Sequence, residues 1–540
     1  MEKKEKIILS LILGLSFFLN TLGLNWGLPS ETLHLQTYHP DEVGVLVSLQ
    51  RMNPKKLDFN PHFFPWGTFQ FYLVGIFLGF MAILGRVKLV PQKEFYILHL
   101  REMDKLYMAG RMVSVFAQTG SVLLLYLLVK RLYSKKVAFF SALFFALMPL
   151  AVADAHYLKP NSAGLFFILA TAYVASRLWE NRTRKIYIFS GILSGLATAT
   201  KYNGVWAILF PLLFHFFSPG EKISLKVKDK NLLFLFFFFF IGFFLGCPYS
   251  VLAFSEFKEG IFQQMTQFIL VQHGDIGNPF LYHLFYSLRY GMGTPLFLLS
   301  LVGLLWVLVR RDRRDLLFSL WIFSYYLFIS FFFKSKFARH MLPLLPFLAL
   351  ISSRFILEGE KRKPFSTLLY LGGVAILLFT FLYTLSYDFL YIRPDPRTRA
   401  SHWIEKNIPP GSSIGVLWEP YFYTPPIVYM EYWVEGESPY NRGNPEKFNR
   451  YRILVKSKGE WKGKLPDYLV VSEYEIRDIL KYPRLFPREF REWKQLNRNY
   501  RLLYSFSNTL NLGPLRFRKG FPPHDLLYPF PEIKVYKMIN

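Results

Sequence analysis

The chain has 540 residues, 52% of them hydrophobic and 19% aromatic, and its apolar residues come in runs long enough to cross a bilayer instead of alternating with polar ones. That excludes an ordinary soluble globular protein. The formal charge of +27 does not point to nucleic acid, because the basic residues are spread over short loops and a C-terminal region instead of gathering with aromatics on one surface.

In chain order, Lys3, Lys4 and Lys6 precede the apolar run 7–24, which resembles a signal peptide but lacks a small-residue cleavage site and is followed by many more apolar runs. We read it as a retained first helix. Further apolar segments fall near 69–86, 109–129, 137–153, 162–178, 186–200, 204–217, 231–249, 294–309, 316–333, 339–356 and 365–387. Basic loops lie at Lys130, Arg131, Lys135 and Lys136; at Arg182, Arg184 and Lys185; at Lys222, Lys226, Lys228 and Lys230; at Arg310, Arg311, Arg313 and Arg314; and at Lys361, Arg362 and Lys363. All five are cytoplasmic, as the positive-inside rule requires, if one segment before residue 109 does not cross. The candidate is 69–86, preceded by Pro61, Pro65 and Trp66 and suited to an interfacial helix. Roughly eleven spans follow, with outer loops at 25–108, 154–161, 200–204, 250–293 and 334–338. The predicted organisation is a transmembrane domain over 1–387 and an extracytoplasmic α/β domain over 388–540, with a cytoplasmic N-terminus. Within the tail, Arg399 to Glu405 reads as a helix stopped by Pro409-Pro410-Gly411, and Ser413 to Trp418 and Asp467 to Ser472 read as buried strands. The single cysteine, Cys247, leaves no internal disulfide and no cysteine-based metal site.

The feature richest in chemistry is Tyr38-His39-Pro40-Asp41-Glu42, in the first outer loop. Charge beside a bilayer is costly and marks function. On a helix the two carboxylates point about 100° apart, which suits one as general base and the other as a metal ligand or orienting group; Pro-Asp-Glu is also how an ordinary helix begins. The stretch Asn60 to Gly67, with His62 among its aromatics and prolines, could line a groove for a prenyl chain or a sugar. Further ionisable residues stand at outer ends of spans: Asp154, His156, Lys159, Lys201, Arg289, Lys334, Lys336, Arg339 and His340. Cations on that side run against the positive-inside trend, and a phosphate-binding cavity explains several at once; singly, each is equally well a snorkelling residue or an ion pair. No nucleotide-phosphate loop is visible, so the energy for any transfer has to come from the donor.

In this order the motifs resemble the polyprenyl-phosphate-sugar-dependent glycosyltransferases with a C-type membrane fold (GT-C), the class of the protein O-mannosyltransferases and lipid A aminoarabinose transferases. The resemblance rests on His39-Pro40-Asp41-Glu42; on Asn60 to Gly67; on Gly110-Arg111-Met112-Val113-Ser114; on Gly191 to Ala197 leading into Lys201; on Ala338 to Pro346; and on Ala400 to Gly411. It implies a polytopic α-helical fold and an inverting transfer from a polyprenyl-phosphate sugar to a glycan, lipid or protein acceptor on the outer face of the plasma (inner) membrane. Asp41 takes the place of the catalytic carboxylate, supported by Glu42; Arg111, Lys201, Arg289 and Arg339 are the candidate phosphate-binding cations, with His39, His62, His156, Lys159, Lys336 and His340 as further candidates for the substrate site. Some C-type enzymes use a divalent metal, for which Asp41 and Glu42 are the candidate ligands. A covalent glycosyl-enzyme needs carboxylates about 5 Å apart across the bond, which neighbours on one helix turn are poorly placed to supply. The competing reading is a lipid-linked-glycan transporter or flippase, which calls for interrupted helices in two related halves; no such symmetry is legible. A non-catalytic membrane scaffold needs neither the acid pair nor the outer cations.

Overall fold

Every apolar run of the sequence is helical, as expected where hydrocarbon leaves the backbone no partner but itself. The structure is a computed structural model that describes residues 2–220, 222–270, 275–358, 364–427, 450–461 and 465–539; the basic loop Lys361, Arg362 and Lys363 lies outside the described residues. Among these, five helices are long and apolar enough to cross a membrane: Leu100–Leu132, Pro160–Trp179, Arg313–Phe332, Ala338–Glu358 and Phe365–Asn407. Two bent pairs raise the number to seven if each counts as one span. The helix Phe69–Ile83 has 15 residues, about 22 Å of helix, against a hydrocarbon core of about 30 Å. Tyr202–Phe217 and Asn231–Gly246 are also short, so a count of roughly eleven spans draws on helices below that length.

Helices Arg184–Thr200 and Asn231–Gly246 touch backbone to backbone. A Cβ on Gly191 would meet the Leu235 carbonyl oxygen at 2.5 Å, one on Gly195 the Phe239 oxygen at 2.2 Å, and one on Gly242 the Ile192 oxygen at 2.2 Å. This is the small-residue approach that membrane helices use in place of a hydrophobic driving force, and it fixes the helix end from which Lys201 extends.

The helix ends sort into two poles. At one, the N-terminal turn meets the first basic loop through Lys130–Glu5 and Lys135–Glu2 (2.8 Å). Arg131 pairs with Glu180, the Tyr133 hydroxyl donates to Asp315 at 2.8 Å, and Arg310 faces Glu358 at 3.4 Å. At the other pole, residues 37–42, 157–161, 201, 336–340 and 524–528 converge. The basic loops around Lys130 and Arg310 thus lie at the pole away from the His39 to Glu42 motif.

After the last long apolar helix, Phe365–Ile392, the chain forms a five-stranded sheet. Its strands are β1 (Ser413–Val416), β2 (Arg452–Val455), β3 (Tyr468–Ser472), β4 (Tyr500–Phe506) and β7 (Ile533–Met538), in the order β2-β1-β3-β7-β4; β5 (Asn511–Leu512) and β6 (Leu515–Arg516) make a separate hairpin. β1 is parallel to β2 and β3, while β7 is antiparallel to β3 and β4. Central strands flanked on both faces read as continuous apolar runs, and all five residues of β3 are buried. One face packs Val470, Ile533 and Val535 on Ala400 and Ile404 of the helix Pro396–Asn407. The other packs Leu469 and Val471 on Ile476, Trp493 and Leu496 of helices Glu473–Lys481 and Pro487–Arg498. The fold is polytopic α-helical with a small C-terminal α/β sheet unit, as the sequence predicts.

Candidate active site

Asp41 and Glu42 open the helix Glu42–Arg51, with Asp41 at the N-cap position. The Asp41 side chain makes no cap hydrogen bond, so helix initiation does not account for it. Glu42 is fully buried. Its carboxylate accepts from Arg111 Nε at 2.8 Å and Nη2 at 2.7 Å, from the Leu158 N–H at 2.7 Å, and from the Thr37 hydroxyl. Arg111, equally buried, spends Nη1 on the carbonyls of Leu24 (2.6 Å) and Trp26 (2.8 Å). A bidentate pair of this kind, with its remaining lone pairs satisfied, is how a buried charge pair holds. It braces the first loop against the long helix Leu100–Leu132 and the second outer loop. Glu42 and Arg111, both candidates for the reaction site from sequence, are therefore turned toward each other.

Asp41 points the other way. Its Oδ2 receives Lys159 Nζ at 2.5 Å and lies 3.5 Å from Arg339 Nη2. Its side chain keeps 30% exposure while that of Lys159 has 3%. Burial by itself would raise the Asp41 carboxyl, but the neighbouring Lys159 and Arg339 charges outweigh it and hold the group well below the usual carboxylate range. Lys159 is the residue before Pro160, whose fixed φ starts the next helix. Ser114 anchors that turn by donating to the Tyr157 carbonyl at 2.7 Å.

Lys201 extends the cluster from one residue past the helix Arg184–Thr200. Its Nζ donates to Asn161 Oδ1 at 2.5 Å, and Asn161 Nδ2 donates in turn to the buried Asp154 at 2.6 Å. Burial, followed by the nearby charges of Lys159 and Arg339, brings the Lys201 ammonium down to about 7. Beside it the loop carrying Phe63 to Gly67 lies directly on the helix end: a Cβ on Gly67 would meet the Ala199 carbonyl oxygen at 1.9 Å. His39 lines the floor, its Nδ1 accepting the Asp41 N–H at 3.2 Å and its ring held between Tyr157 (4.3 Å) and Tyr528 (4.7 Å).

Of the remaining candidates His340 borders the cluster, and the others are placed away from it. His62, in the left-handed region at φ 48°, faces Glu256 at 2.8 Å on the surface. His156 stacks on Tyr391 at 4.3 Å with its ring nitrogens against the Val152 and Leu22 carbonyls. Arg289 is exposed and donates to Thr294. Lys336 is buried and donates to the Lys334 carbonyl at 2.9 Å, and His340 packs on Phe268 at 5.5 Å within electrostatic reach of Lys201. Conversely, Asp525 and Tyr528 reach the cluster from the tail. No motif around them in the sequence marks them, because only the docking of the tail brings them near.

Among the described residues no group of three His, Cys, Asp or Glu could hold a metal ion. Asp41 and Glu42 do not combine as ligands here, since one faces Lys159 and the other is saturated by Arg111. Mg²⁺ and Ca²⁺ take six or more oxygens, and the groups beside Asp41 are cationic.

Residues 100–245 match the model of the family described as dolichyl-phosphate-mannose-protein mannosyltransferase, which bears out over that stretch the resemblance to polyprenyl-phosphate-sugar-dependent glycosyltransferases. An uncharacterized protein of Aquifex aeolicus (strain VF5) is 26% identical over 260 residues, 47% of this chain and 50% of that protein; the match spans half of that relative's length. Among solved structures, ArnT from Cupriavidus metallidurans bound to undecaprenyl phosphate is 11% identical with a TM-score of 0.47, over 99% of this chain and 98% of that one. The archaeal oligosaccharyltransferase AglB from Archaeoglobus fulgidus, in complex with an inhibitory peptide and a dolichol-phosphate, is 12% identical with a TM-score of 0.48, over 88% of this chain and 70% of that one.

Proposed function

We propose that this chain is an integral membrane glycosyltransferase that moves a sugar from a polyprenyl-phosphate donor to an acceptor hydroxyl by a single inverting displacement on the outer face of the membrane. The observation that carries the reading is Asp41, a partly exposed carboxylate whose partners are Lys159 and Arg339. It joins, in one small volume, a proton acceptor and the cations that a departing lipid phosphate requires. The family match over residues 100–245 supports the reaction class. Orientation follows from charge: the N-terminus and the basic loops around Lys130 and Arg310 sit at the pole opposite Asp41, and positive loops stay cytoplasmic.

In this mechanism Lys159, Lys201 and Arg339 receive the donor phosphate. Arg339 Nη1 is buried without a hydrogen-bond acceptor among the described residues, so an anionic oxygen would complete its set. As the cations turn to the phosphate, Asp41 loses the charges that depress its basicity and becomes able to take a proton. The acceptor hydroxyl then attacks the anomeric carbon, its proton passes to Asp41, the bond from that carbon to the phosphate oxygen breaks, and the electron pair leaves with the lipid phosphate. Glu42 and Arg111 hold the loop that presents Asp41 and take no part in the transfer. No step runs through a metal. A cavity of about 130 Å³, open to solvent, lies between residues 32–38 of the first loop and residues 419–426 of the tail. The Tyr421 hydroxyl on its wall donates to the Pro40 carbonyl at 3.5 Å, one residue from Asp41, which supports reading this cavity as the acceptor approach. The test is transfer of radiolabelled sugar from a panel of polyprenyl-phosphate sugars to membrane acceptors by the parent and by Asp41→Asn. Transfer lost in the variant is the expected result; equal transfer by both would overturn the assignment of Asp41.

A further inference from the structure

The cations around Asp41 differ in how they are held. Lys159 is fixed by the turn before Pro160, whereas Arg339 sits in a short 3₁₀ segment, Ala338–Leu344, interrupted by Pro343. A helix start leaves backbone N–H groups without partners, and here the acceptor that satisfies them comes from the far end of the chain. Asp525, 6% exposed, accepts the Ala338 N–H on Oδ1 and the Arg339 N–H on Oδ2, both at 2.9 Å. Its Oδ2 also lies 3.7 Å from Arg339 Nη1. The guanidinium therefore stands between two carboxylates, Asp41 at 3.5 Å and Asp525 at 3.7 Å.

The segment that carries Asp525 is tied to four separate elements. The His524 N–H donates to Asp275 at 2.9 Å, and the Tyr474 hydroxyl donates to the His524 carbonyl at 3.0 Å. Tyr387, in the last long apolar helix, donates to the Leu526 carbonyl. The buried Arg397 donates to the Tyr528 carbonyl at 2.6 Å while pairing with Asp395. Each tie satisfies a buried polar group, so loosening the segment would leave several unmade at once. Two of the four ties, to Asp275 and Tyr387, lie outside the tail, so the segment fastens the sheet unit to the transmembrane side next to Arg339.

We propose that Asp525 is a positioning residue for the lipid-phosphate site: it sets Arg339 against the donor phosphate, so that the tail completes the donor site and does not serve acceptor choice alone. The inference rests on the reading of Lys159, Lys201 and Arg339 as phosphate ligands. Asp525→Asn keeps the size of the side chain but turns an N–H donor toward the Ala338 and Arg339 N–H groups, so that one of the two backbone bonds is lost and Arg339 drifts from its place.

The experiment is a double-mutant cycle on the purified full chain, reading the dissociation constant for undecaprenyl phosphate with the melting temperature recorded alongside. Asp525→Asn is expected to weaken binding about tenfold, the equivalent of one charge-assisted hydrogen bond. In an Arg339→Gln background the same substitution should change binding by less than about twofold, because the residue it acts through has gone. A purely structural role would weaken both backgrounds equally, and that result, or unchanged binding in Asp525→Asn, overturns the inference. Parent protein that does not bind undecaprenyl phosphate would overturn the donor reading itself, and the inference with it.

Discussion

The two poles of the membrane part hold their charges in different ways. At the basic pole, ion pairs lie mostly on the rim: Arg131 and Glu180 keep 27% and 56% side-chain exposure, and the buried Arg354 is fully matched by the bidentate carboxylate of Asp315 at 2.9 and 3.1 Å. At the other pole the cations are sunk into the protein and share partners. Lys159 and Arg339 both lean on Asp41, and Lys201 has the amide of Asn161. A rim pair costs little desolvation and gives little stability. Buried cations with shared or neutral partners are expensive to keep, and groups of this kind cluster at functional sites. Within the site pole itself, Glu42 and Asp41 repeat the contrast one residue apart, the first saturated and the second left with an open side.

The saturated pair should break first and hardest. Glu42→Ala leaves Arg111 buried without its counter-ion, and a guanidinium cannot shed its proton to relieve the cost; about 3–5 kcal/mol of stability should be lost, read as a collapse of the melting transition in detergent. Asp41→Asn should melt within a few degrees of the parent, because Lys159 can give up its proton and Arg339 retains Asp525. Its sugar transfer should nevertheless fall by about 10²–10⁴-fold, the usual worth of a general base. If Asp41→Asn unfolded and Glu42→Ala stayed folded but inactive, the two carboxylates would have to exchange roles.

Much of this arrangement was readable before any coordinates. Long apolar runs with basic loops dictate helices and their ends, because hydrocarbon length and backbone self-satisfaction leave few alternatives. In the tail the sequence indicated a small α/β unit with one helix and two buried strands, and these occur, whereas the helices that cover the second face of the sheet were not foreseen. Asp41 stood out in the first-loop motif and Lys159, Lys201 and Arg339 at outer span ends, and they lie together. What periodicity cannot convey is direction. Adjacency placed Glu42 beside Asp41 as a partner in chemistry, whereas the helix turn that separates them by about 100° sends Glu42 inward to Arg111. His62, His156 and Arg289 share the same end of the chain map without sharing the cluster, since a loop position does not say which way a ring or guanidinium faces. Asp525 was not legible at all, because its partners are nearly two hundred residues away.

Lys201 sharpens the comparison through pH. Burial and neighbouring cations bring it to about 7, so the folded protein sheds this proton while the unfolded chain still binds it. Stability from this group therefore rises as pH goes from about 7 toward its ordinary range near 10. Phosphate binding should run in the opposite sense, weakening up to about tenfold between pH 6 and pH 8.5 as the ammonium is neutralised. Lys201→Arg should flatten the binding profile. A parent profile already flat over that interval would remove Lys201 from the phosphate site.

The smallest effect belongs at the basic pole, and it tests whether that pole is as dispensable as its exposure implies. Arg131→Ala removes a partly exposed partner of the half-exposed Glu180, whose attraction is screened by water and salt. The variant should lose no more than about 1 kcal/mol, should lose it only at low ionic strength, and should transfer sugar as the parent does. Loop charge acts on orientation during insertion more than on the finished fold, so one loss among several basic loops should leave the topology unchanged. A large fall in transfer by folded Arg131→Ala would mean that charge at this pole reaches the chemistry, and the division between a rim that orients and a buried cluster that reacts would no longer stand.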